Sequence, residues 1–452
     1  MSEQSLSAIS PLDGRYSTHI QSLIPYFSEF ALIKYRIHIE VEYLIALTEL
    51  NLKNCPNLPA GSHVMLRKWV ENFDLEQAAS VKRIEKQINH DVKSVEYFVK
   101  QKLENEGLTP WTEFVHFGLT SQDINNTAIP LLLKESTENV LLPRILELVA
   151  TIKEYGKSWL NIPMLARTHG QPATPTRFGK ELLVFSERIE KQLQLLHQVP
   201  YSAKFGGATG GFNAHLVAYS EIDWIAFGNA FVNGLGLERS QFTTQIEHYD
   251  NLAAYMDGLS RINTILIDFC RDIWQYISMD YLKQKINEGE VGSSAMPHKV
   301  NPIDFENAEG NLGIANALMH HFSSKLPISR LQRDLSDSTV LRNIGVPIGH
   351  CLVAYQSLSK GLKKIEINKD WISQDLNAHI EVISEAIQTV LRRELYPQPY
   401  EALKKLSRTG QKLTMDDFRK FIHELDISDN IKAELLEITP DNYIGVVPGD
   451  QP

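Results

Sequence analysis

The chain has 452 residues, of which 43% are hydrophobic and 22% charged, the usage of an ordinary globular protein. Its formal net charge of -10 argues against a surface made for nucleic acid or anionic membranes, so an anionic substrate would need a local Arg and Lys cluster. The three widely spaced cysteines exclude a disulfide framework and any Cys–Cys metal pair, and they suit a reducing cytoplasm.

The N-terminal stretch "MSEQSLSAISPLDGRY" lacks the basic start and apolar run of a signal peptide. The most apolar long segment, "RINTILIDFCRDIWQYI", is interrupted by four charged residues. No stretch reaches the ~18 uninterrupted apolar residues that a membrane-spanning helix needs. We therefore expect a soluble cytoplasmic protein that does not enter the membrane.

Apolar residues recur three or four positions apart along much of the chain, which is the spacing of one helix face. The pattern predicts helices around residues 33–48, 182–199, 252–277 and 312–326, the third unusually long. Alternating strand patterns are scarce, and "QFTTQI" is one weak candidate. These features predict an all-α fold with a long central helical bundle, and surplus apolar positions on the midchain helices favour homo-oligomerisation.

Two composition changes suggest domain boundaries. "ENEGLTP" (Glu104 to Pro110) follows an N-terminal helical region, and "EINKD" (Glu366 to Asp370) opens a tail of shorter helices. We therefore expect an N-terminal helical domain over residues 1–110, a central long-helix domain over 111–365 and a C-terminal helical domain over 366–452.

The N-terminal region contains two polar stretches at predicted helix starts. In "NHDVKSVEYF", His90 and Lys93 lie three apart behind Asn89, a possible cap, and an ordinary polar helix face is the preferred interpretation of this stretch taken alone. In "HFGLTSQDINNT", Thr120 and Ser121 precede a helix, where they are ordinary capping residues that can also bind an anion.

Two midchain stretches fit loops between helices. "RTHGQPATP" (Arg167 to Pro175) contains His169, which could act as an acid or base near neutral pH or could simply be a solvated loop histidine. The glycines of "KFGGATGGFNAH" lack the GK[ST] ending of a phosphate loop, so a helix–helix connection is the better interpretation.

"VGSSAMPHKVNP" (Val291 to Pro302) fits neither helix nor strand. Glycines upstream permit backbone movement, and Asn301 and Pro302 are placed as N-cap and first residue of the next helix. Lys299 and the helix dipole would make this end electropositive, which favours a lid that closes over an anionic substrate. A solvated interhelical loop is the alternative, and the role of the serines stays open at this point.

Further on, "LQRDLSDSTVLRN" places Arg333 and Arg342 close together in the sequence. They could donate hydrogen bonds to a phosphate or carboxylate of a ligand, or they could form salt bridges with surface aspartates. A metal site is disfavoured, because neither an HExxH motif nor an Asp-x-Asp-x-Asp loop is present.

Together these motifs resemble those of a known superfamily. "GSSAMPHKVNP", "LTSQDINN" and "RTHGQPATP" are similar to the three active-site regions of the aspartase/fumarase superfamily. Within it, "SPLDGRY", "NHDVKSVEYF", "TTQIE" and "QRDLSDSTVLRN" resemble the bacterial type of the adenylosuccinate lyase family of the purine pathway. The resemblance covers nearly the whole chain, and it implies a three-domain all-α protomer in a homotetramer whose active sites are shared between chains. It also implies elimination of fumarate from adenylosuccinate, giving AMP, and from SAICAR, giving AICAR, without metal or organic cofactor.

The resemblance also implies residue roles. Ser293 would be the general base, His169 the general acid and Lys299 the charge that stabilises the carboxylate, with His90 near the phosphate or the leaving amine. The implied substrate-binding set is Arg15, Tyr16, Asn89, His90, Asp91, Thr120, Ser121, Gln245, Ser294, Lys299, Val300, Asn301, Asn307, Arg333, Ser338, Thr339, Val340, Leu341 and Arg342.

Other functions remain open at this level. Argininosuccinate lyase, fumarase, aspartase and a carboxymuconate cycloisomerase share the superfamily signature. The set that separates them from the purine enzyme is Arg15, Tyr16, Arg333 and Ser338 to Arg342. A structural protein on the same fold is a further alternative, against which Ser293, His169 and Lys299 argue.

Overall fold

The computed structural model describes residues 6–285, 296, 299–407 and 413–449. By their packing, the chain divides into two compact units. The first comprises Met1–Leu146, Gln192–Thr264 and Ala308–Gln356, and the second comprises Glu147–Lys191, Ile265–Asn307 and Ser357–Pro452. The three-domain division drawn from the sequence stays a prediction.

Helices dominate the described residues. In the first third of the chain the α-helices are Ile24–Phe27, Glu29–Thr48, Ser62–Glu71, Leu75–Ile88, Asp91–Asn105, Ser121–Ser136 and Leu142–Ser158. In the middle they are Phe178–His197, Asn213–Ala218, Trp224–Gly234, Asp250–Ser278, Ile303–Lys325, Ser336–Leu341 and Gly345–Leu362. The C-terminal helices are Lys369–Asn377, Ser384–Arg393, Pro399–Ser407, Met415–Glu424 and Asp429–Leu436. Short 3₁₀ segments cover Gln21–Leu23, Thr109–Phe114 and Ile380–Ile383, and a π-turn covers Thr137–Leu141.

Three small two-stranded sheets accompany the helices. Pro163–Thr168 pairs antiparallel with Gln171–Arg177, and Leu282–Gln284 pairs antiparallel with Ile365–Ile367. Ser202–Ala203 pairs in parallel with Glu238–Arg239. The strands are short additions to a helical protein.

The all-α prediction is confirmed, and the four helices expected from periodicity are present. The longest of them, Asp250–Ser278, has 29 residues, because its apolar stripe continues without a proline to stop it. The weak strand candidate "QFTTQI" is not a strand, since residues 241–246 form bends and irregular backbone. Within the described part of the chain, no helix combines the length and hydropathy needed to cross a membrane.

The first unit packs long helices around a buried amide. Asn263 is fully buried and donates to Asn316 at 3.0 Å, while Tyr355 donates its hydroxyl proton to the Asn263 carbonyl at 2.7 Å. An unsatisfied buried amide would cost ~1–3 kcal/mol. These two hydrogen bonds therefore favour the one alignment of the three helices in which both can form.

The second unit has its own apolar core in the C-terminal region. Ile383, Ile387, Phe418 and Ile422 are nearly or fully buried within it. Leu165, from the antiparallel strand Pro163–Thr168, belongs to the same cluster and is only 1% exposed. The strand pair is thus built into the C-terminal core.

Candidate active site

A cavity of about 480 Å³ lies within the first unit. Its walls combine helix-interior residues, such as Arg36 and Ile129, with helix starts and ends, where backbone N–H and C=O groups lack helical partners and polar side chains collect. The sequence-predicted residues that line it are Asn89, His90, Asp91, Ser121, Arg333, Ser338, Thr339, Leu341 and Arg342.

The turn between two helices presents His90 to this cavity. Asn89 ends the helix Leu75–Ile88 in the left-handed conformation at φ 53°, which asparagine tolerates better than most residues. His90 then caps the helix Asp91–Asn105, its Nδ1 accepting a hydrogen bond from the Lys93 N–H at 3.1 Å. With Nδ1 acting as acceptor, a neutral His90 ring carries its proton on Nε2.

Asp91 joins two arginines at the cavity wall. Its Oδ2 accepts hydrogen bonds from Arg36 at 2.7 Å and from Arg342 at 2.9 Å. Burial raises the pKa of Asp91, but Arg36, the Val92 N–H and Arg342 together outweigh it and hold that pKa below its ordinary value. The carboxylate is therefore ionised at neutral pH, and it orients both guanidinium groups.

Arg342 is also paired with Glu29, whose Oε2 accepts from it at 3.1 Å. The cavity wall therefore carries three arginines, Arg36, Arg333 and Arg342, opposed by Glu29, Glu85 and Asp91. These carboxylates hold guanidinium groups in place when no ligand is bound. A phosphate can then bind the same guanidinium groups by replacing a carboxylate partner.

Arg333 contributes an unsatisfied donor. Its Nη1 donates to Gln245 at 3.2 Å and its Nη2 approaches the Ser338 hydroxyl at 3.4 Å. Its Nε is buried and finds no acceptor among the described residues. A buried N–H without a partner is rare in folded proteins and points to an oxygen atom supplied by a ligand or water.

The start of the helix Ser121–Ser136 is held by a buried charge. Thr120 and Asp123 form a capping box, in which the Thr120 N–H donates to Asp123 Oδ2 at 2.8 Å. The other carboxylate oxygen accepts from Lys204 and from the Gly206 N–H, both at 2.8 Å. Lys204 and Asp123 are both fully buried, so removing either one would strand its partner at a cost of ~3–5 kcal/mol.

This contact explains the glycine-rich stretch. A Cβ on Gly206 would lie 2.7 Å from the Gly210 carbonyl oxygen, and Gly207 and Gly210 have positive φ angles. The stretch connects the helix Phe178–His197 to the helix Asn213–Ala218, as predicted, and it wraps its backbone N–H groups around Asp123 instead of a phosphate.

Five predicted substrate residues of the first unit do not line the cavity. Arg15 and Tyr16 belong to a turn before the first helix, where the Tyr16 N–H donates to the Pro11 carbonyl at 2.8 Å. Val340 lies on the helix Ser336–Leu341 between two lining residues. Gln245 accepts a hydrogen bond from the lining residue Arg333. Thr120 directly precedes the lining residue Ser121 in the chain.

The second unit carries His169, and here the expected loop is wrong. Pro163–Thr168 and Gln171–Arg177 form an antiparallel hairpin whose two-residue turn is His169–Gly170. Both turn residues have positive φ, 52° and 74°, as a type I′ turn requires. Two prolines and several polar residues hid the hairpin from the sequence pattern, because they interrupt the alternation typical of strands.

Lys299, Val300, Asn301 and Asn307 also belong to the second unit. The helix begins at Ile303, so Pro302 lies one position before the first helical residue instead of occupying it. The Val300 carbonyl accepts a hydrogen bond from Gln284 at 3.0 Å. Ser293, Ser294 and most of the predicted lid lie outside the described residues, which include only Met296 and residues 299–302 of that stretch.

Among the lining residues that the sequence motifs did not indicate are Arg36, Glu29 and Asn125. Arg36 is 3% exposed on the helix Glu29–Thr48 and donates its Nε proton to Asn125 at 2.8 Å. A signal was present, since an arginine amid an apolar helix stripe needs a buried partner, but the partners are distant in sequence. Within the described residues, no group of three or more His, Cys, Asp or Glu side chains could hold a metal ion.

Comparison with known proteins identifies the family. Residues 14–316 match a family model described as Lyase, and residues 329–444 match one described as Adenylosuccinate lyase C-terminal. Adenylosuccinate lyase from Dictyostelium discoideum is 57% identical, over 98% of this chain and 97% of that protein. The enzyme of the same name from Escherichia coli K12 is 48% identical, over 98% of each.

The chain belongs to the adenylosuccinate lyase family. Two solved structures of more distant proteins share the fold. A 3-carboxy-cis,cis-muconate lactonizing enzyme from Pseudomonas putida superposes with a TM-score of 0.72 at 20% identity, covering 94% of this chain and 93% of that one. A fumarate lyase from Mesorhizobium gives 0.72 at 16% identity, covering 94% of each.

Proposed function

We propose that this chain catalyses β-elimination of fumarate from adenylosuccinate, giving AMP, and from SAICAR, giving AICAR, in purine nucleotide biosynthesis. The observation that carries the proposal is the cavity of the first unit, where Arg333, Ser338 and Arg342 surround one space beside His90. These donors suit a nucleotide phosphate, which the other fumarate-releasing substrates of the superfamily lack.

The chemistry requires a base and an acid. Ser293 removes a proton from the succinyl β-carbon, the carbon–nitrogen bond breaks, and His169 protonates the departing nitrogen. His169 is exposed at its hairpin tip, so it is accessible to a substrate. Removing the carbon-bound proton leaves a second negative charge on the adjacent carboxylate, and this charge makes the step difficult.

The residues before the helix Ile303–Lys325 are suited to that charge. Lys299 is an exposed cation, and it lies four residues before the positive end of a 23-residue helix dipole. Lys299 and Asn301 hold the carboxylate oxygens, with Thr120, Ser121 and Ser294 contributing. Because the charge develops only during the reaction, this field lowers the transition state more than the ground state.

The nucleotide end uses a different set of residues. Arg15 and Tyr16 contact the nucleotide, and Arg333, Ser338 and Arg342 hold its phosphate with Gln245. The unpaired Arg333 Nε supports this role, because a phosphate oxygen would satisfy it. Asn89, Asp91, Val300, Asn307, Thr339, Val340 and Leu341 complete the pocket.

We further propose that the working form is a cytoplasmic homotetramer in which each active site combines residues of several chains. Exposed apolar side chains on the long helices support the assembly, among them Leu195, Trp274 and Ile314, which are 43 to 56% exposed. Neither nucleic acid nor membrane is a partner in this proposal, and no metal or organic cofactor takes part.

Purified protein should release fumarate from adenylosuccinate and from SAICAR in the presence of a chelator. Ser293→Ala and His169→Ala should each lower kcat by at least ~10²–10⁴-fold, since each removes a proton-transfer group. Product formation is followed by chromatography, and size-exclusion chromatography checks that the variants keep the wild-type oligomer.

Argininosuccinate, malate and aspartate serve as control substrates for the related superfamily activities. Fumarate release from argininosuccinate, or from neither purine substrate, would replace the proposal with another superfamily function. Wild-type turnover in Ser293→Ala would remove that serine as the base while leaving the substrate assignment intact.

A further inference from the structure

The tip of the hairpin leaves His169 without side-chain support. No hydrogen bond or ion pair involves its imidazole in the described part of the chain, and the residue is exposed. Its φ of 52° places the backbone in the left-handed region, which costs a non-glycine residue ~1–2 kcal/mol. The position of the imidazole therefore depends on the hairpin backbone and on whatever holds that backbone.

The hairpin contains a bulge close to its tip. Leu165 pairs with Pro175 and Arg167 pairs with Pro172, so Ala173 and Thr174 on one strand oppose Ala166 alone on the other. A bulge interrupts the ladder of hydrogen bonds and turns the strands locally. Because prolines on the second strand donate no hydrogen bonds, the tip needs support from outside the ladder.

Asp375 supplies this support on the first strand. Its Oδ2 accepts a hydrogen bond from Arg167 at 2.5 Å, two residues before His169. The buried Tyr281 donates its hydroxyl proton to the same oxygen, and His379 contacts the other oxygen at 3.5 Å. The side chains of Asp375 and Arg167 are 17% and 29% exposed, so the ion pair is partly shielded from water and restrains Arg167.

Glu385 supplies support on the second strand. Its Oε2 accepts from the Thr174 hydroxyl, at the bulge, and from the Tyr443 hydroxyl at 2.9 Å. At the base of the same strand Arg177 donates to the Gly445 carbonyl at 2.7 Å. Leu165 adds the apolar contact with the C-terminal core. Each strand is thus tied to the C-terminal region by its own carboxylate, one on each side of the tip.

We propose that Asp375 and Glu385 are positioning residues that place the general acid His169, and that this is what the C-terminal region contributes to catalysis. The inference rests on the proposed function, because it takes His169 to be the acid. Neither carboxylate touches the substrate, and each acts through the hairpin backbone. Since a displacement of about 1 Å can cost ~10²-fold in rate, loosening either tie should be visible in kcat.

Asp375→Asn and Glu385→Gln test the proposal, because each removes a charge and keeps the side-chain shape. Each should lower kcat about 10- to 100-fold while KM changes less than about twofold. Asp375→Glu should recover part of the lost rate. Glu434→Gln is the matched control, since it breaks the C-terminal ion pair between Arg393 and Glu434 and touches no hairpin residue, so its kcat should equal wild type.

A second measurement separates positioning from general damage. In a His169→Ala background, Asp375→Asn should leave the residual rate unchanged, because no acid remains to be displaced. A further drop there, or an unchanged kcat in both single variants, would overturn the inference.

Hydrogen exchange detected by mass spectrometry gives a readout that does not depend on activity. Asp375→Asn and Glu385→Gln should each speed exchange in residues 164–176, whereas Glu434→Gln should not. Unchanged exchange in the hairpin of both variants would overturn the inference, whether or not the wild-type protein is active. A wild-type protein that released no fumarate would instead contradict the proposed function and leave this exchange test valid. If one variant fails to fold, the other tests the opposite strand.

Discussion

Two residues proposed for the active site, Asn89 and His169, have positive φ angles of 53° and 52°. Left-handed backbone costs energy for any residue with a Cβ, so it persists only where the surrounding structure imposes it. At Asn89 the constraint comes from a helix end and a helix start that adjoin, and at His169 from a two-residue hairpin turn. In both cases the strained backbone presents a side chain that chemistry could use.

His215, in the core, holds a backbone segment that leads to the candidate site. Tyr43 donates its hydroxyl proton to the Phe117 carbonyl at 2.6 Å, so the contact between the Tyr43 oxygen and His215 Nε2 at 2.8 Å must have the imidazole as donor. The ring also fills the space beside Gly118, where an added Cβ would lie 2.6 Å from it. His215 thereby fixes the backbone that leads into Thr120 and Ser121.

Burial lowers the pKa of His215 from 6.5 to about 4, against opposing effects of Asp123 and the Phe117 carbonyl. A depressed pKa means that the unfolded chain binds this proton more readily than the folded chain does. The stability due to neutral His215 should be present above pH 6.5 and lost as the pH falls toward 4, by on the order of 3 kcal/mol.

Urea unfolding of wild type and His215→Gln between pH 7.5 and 4.5 measures this effect. The wild type should be more stable at pH 7.5, and its advantage should shrink as the pH falls, because glutamine binds no proton. Phe212→Leu, which loosens packing against the same ring, should keep a nearly constant gap to wild type. A constant gap for His215→Gln would contradict the assignment of the burial effect.

At the scale of elements, the ends of helices and strands create the candidate site. The helix Asp91–Asn105 begins at His90, the helix Ser121–Ser136 begins at a capping box, and the hairpin turn carries His169. Capping residues and active-site residues are drawn from the same polar types, since both must satisfy groups that regular structure leaves unpaired. This overlap is why "NHDVKSVEYF" fits both an ordinary capped helix start and a functional site.

Substitutions of His90 can distinguish its role as a helix cap from a role in substrate binding. His90→Ala should lose the cap and about 1 kcal/mol of stability, whereas His90→Asn should restore it, because asparagine is among the best capping residues. Both variants should lose activity if the imidazole contacts the substrate. Thermal or urea unfolding combined with initial rates checks both effects, and wild-type turnover in His90→Asn would show that only the cap matters.

The hairpin shows how much of an element can escape sequence analysis. The helices were predictable because apolar residues recur every three or four positions along one helix face, as from Leu252 to Ile273. The hairpin was predicted as a loop because Pro172 and Pro175 are poor strand residues. Its stability comes from Asp375, Glu385 and Leu165, which meet only in the folded chain.

At the scale of the whole molecule, the proposed residues fall in both compact units. His90, Arg333 and Arg342 belong to the first, and His169 and Lys299 belong to the second. If active sites combine residues of different chains in a tetramer, a hybrid of two defective chains can contain one intact site.

Mixing His90→Ala with Lys299→Ala tests this arrangement. Each variant alone should be inactive, and reassembled mixtures should regain part of the wild-type rate. Subunit exchange is verified with tagged chains, and His90→Ala mixed with itself is the control. Verified exchange without recovered activity would count against sites shared between chains.

The sequence by itself determined the helical class, the acidic surface and the family. These follow from local periodicity, composition and contiguous motifs, which need no knowledge of distant contacts. The motifs also indicated nine of the 22 residues that line the cavity, several of them polar residues at helix ends, which carry a local signature in the sequence.

Only the tertiary structure decided which charges meet and which element carries His169. Arg36, Asp91 and Arg342 are far apart in sequence, as are Asp123 and Lys204, yet they form the ionic contacts that order the first unit. The physical reason is that the strength of an ion pair depends on burial and on alternative partners, both set by the packing of distant segments. The same packing turned an apparent loop into a hairpin anchored by two carboxylates.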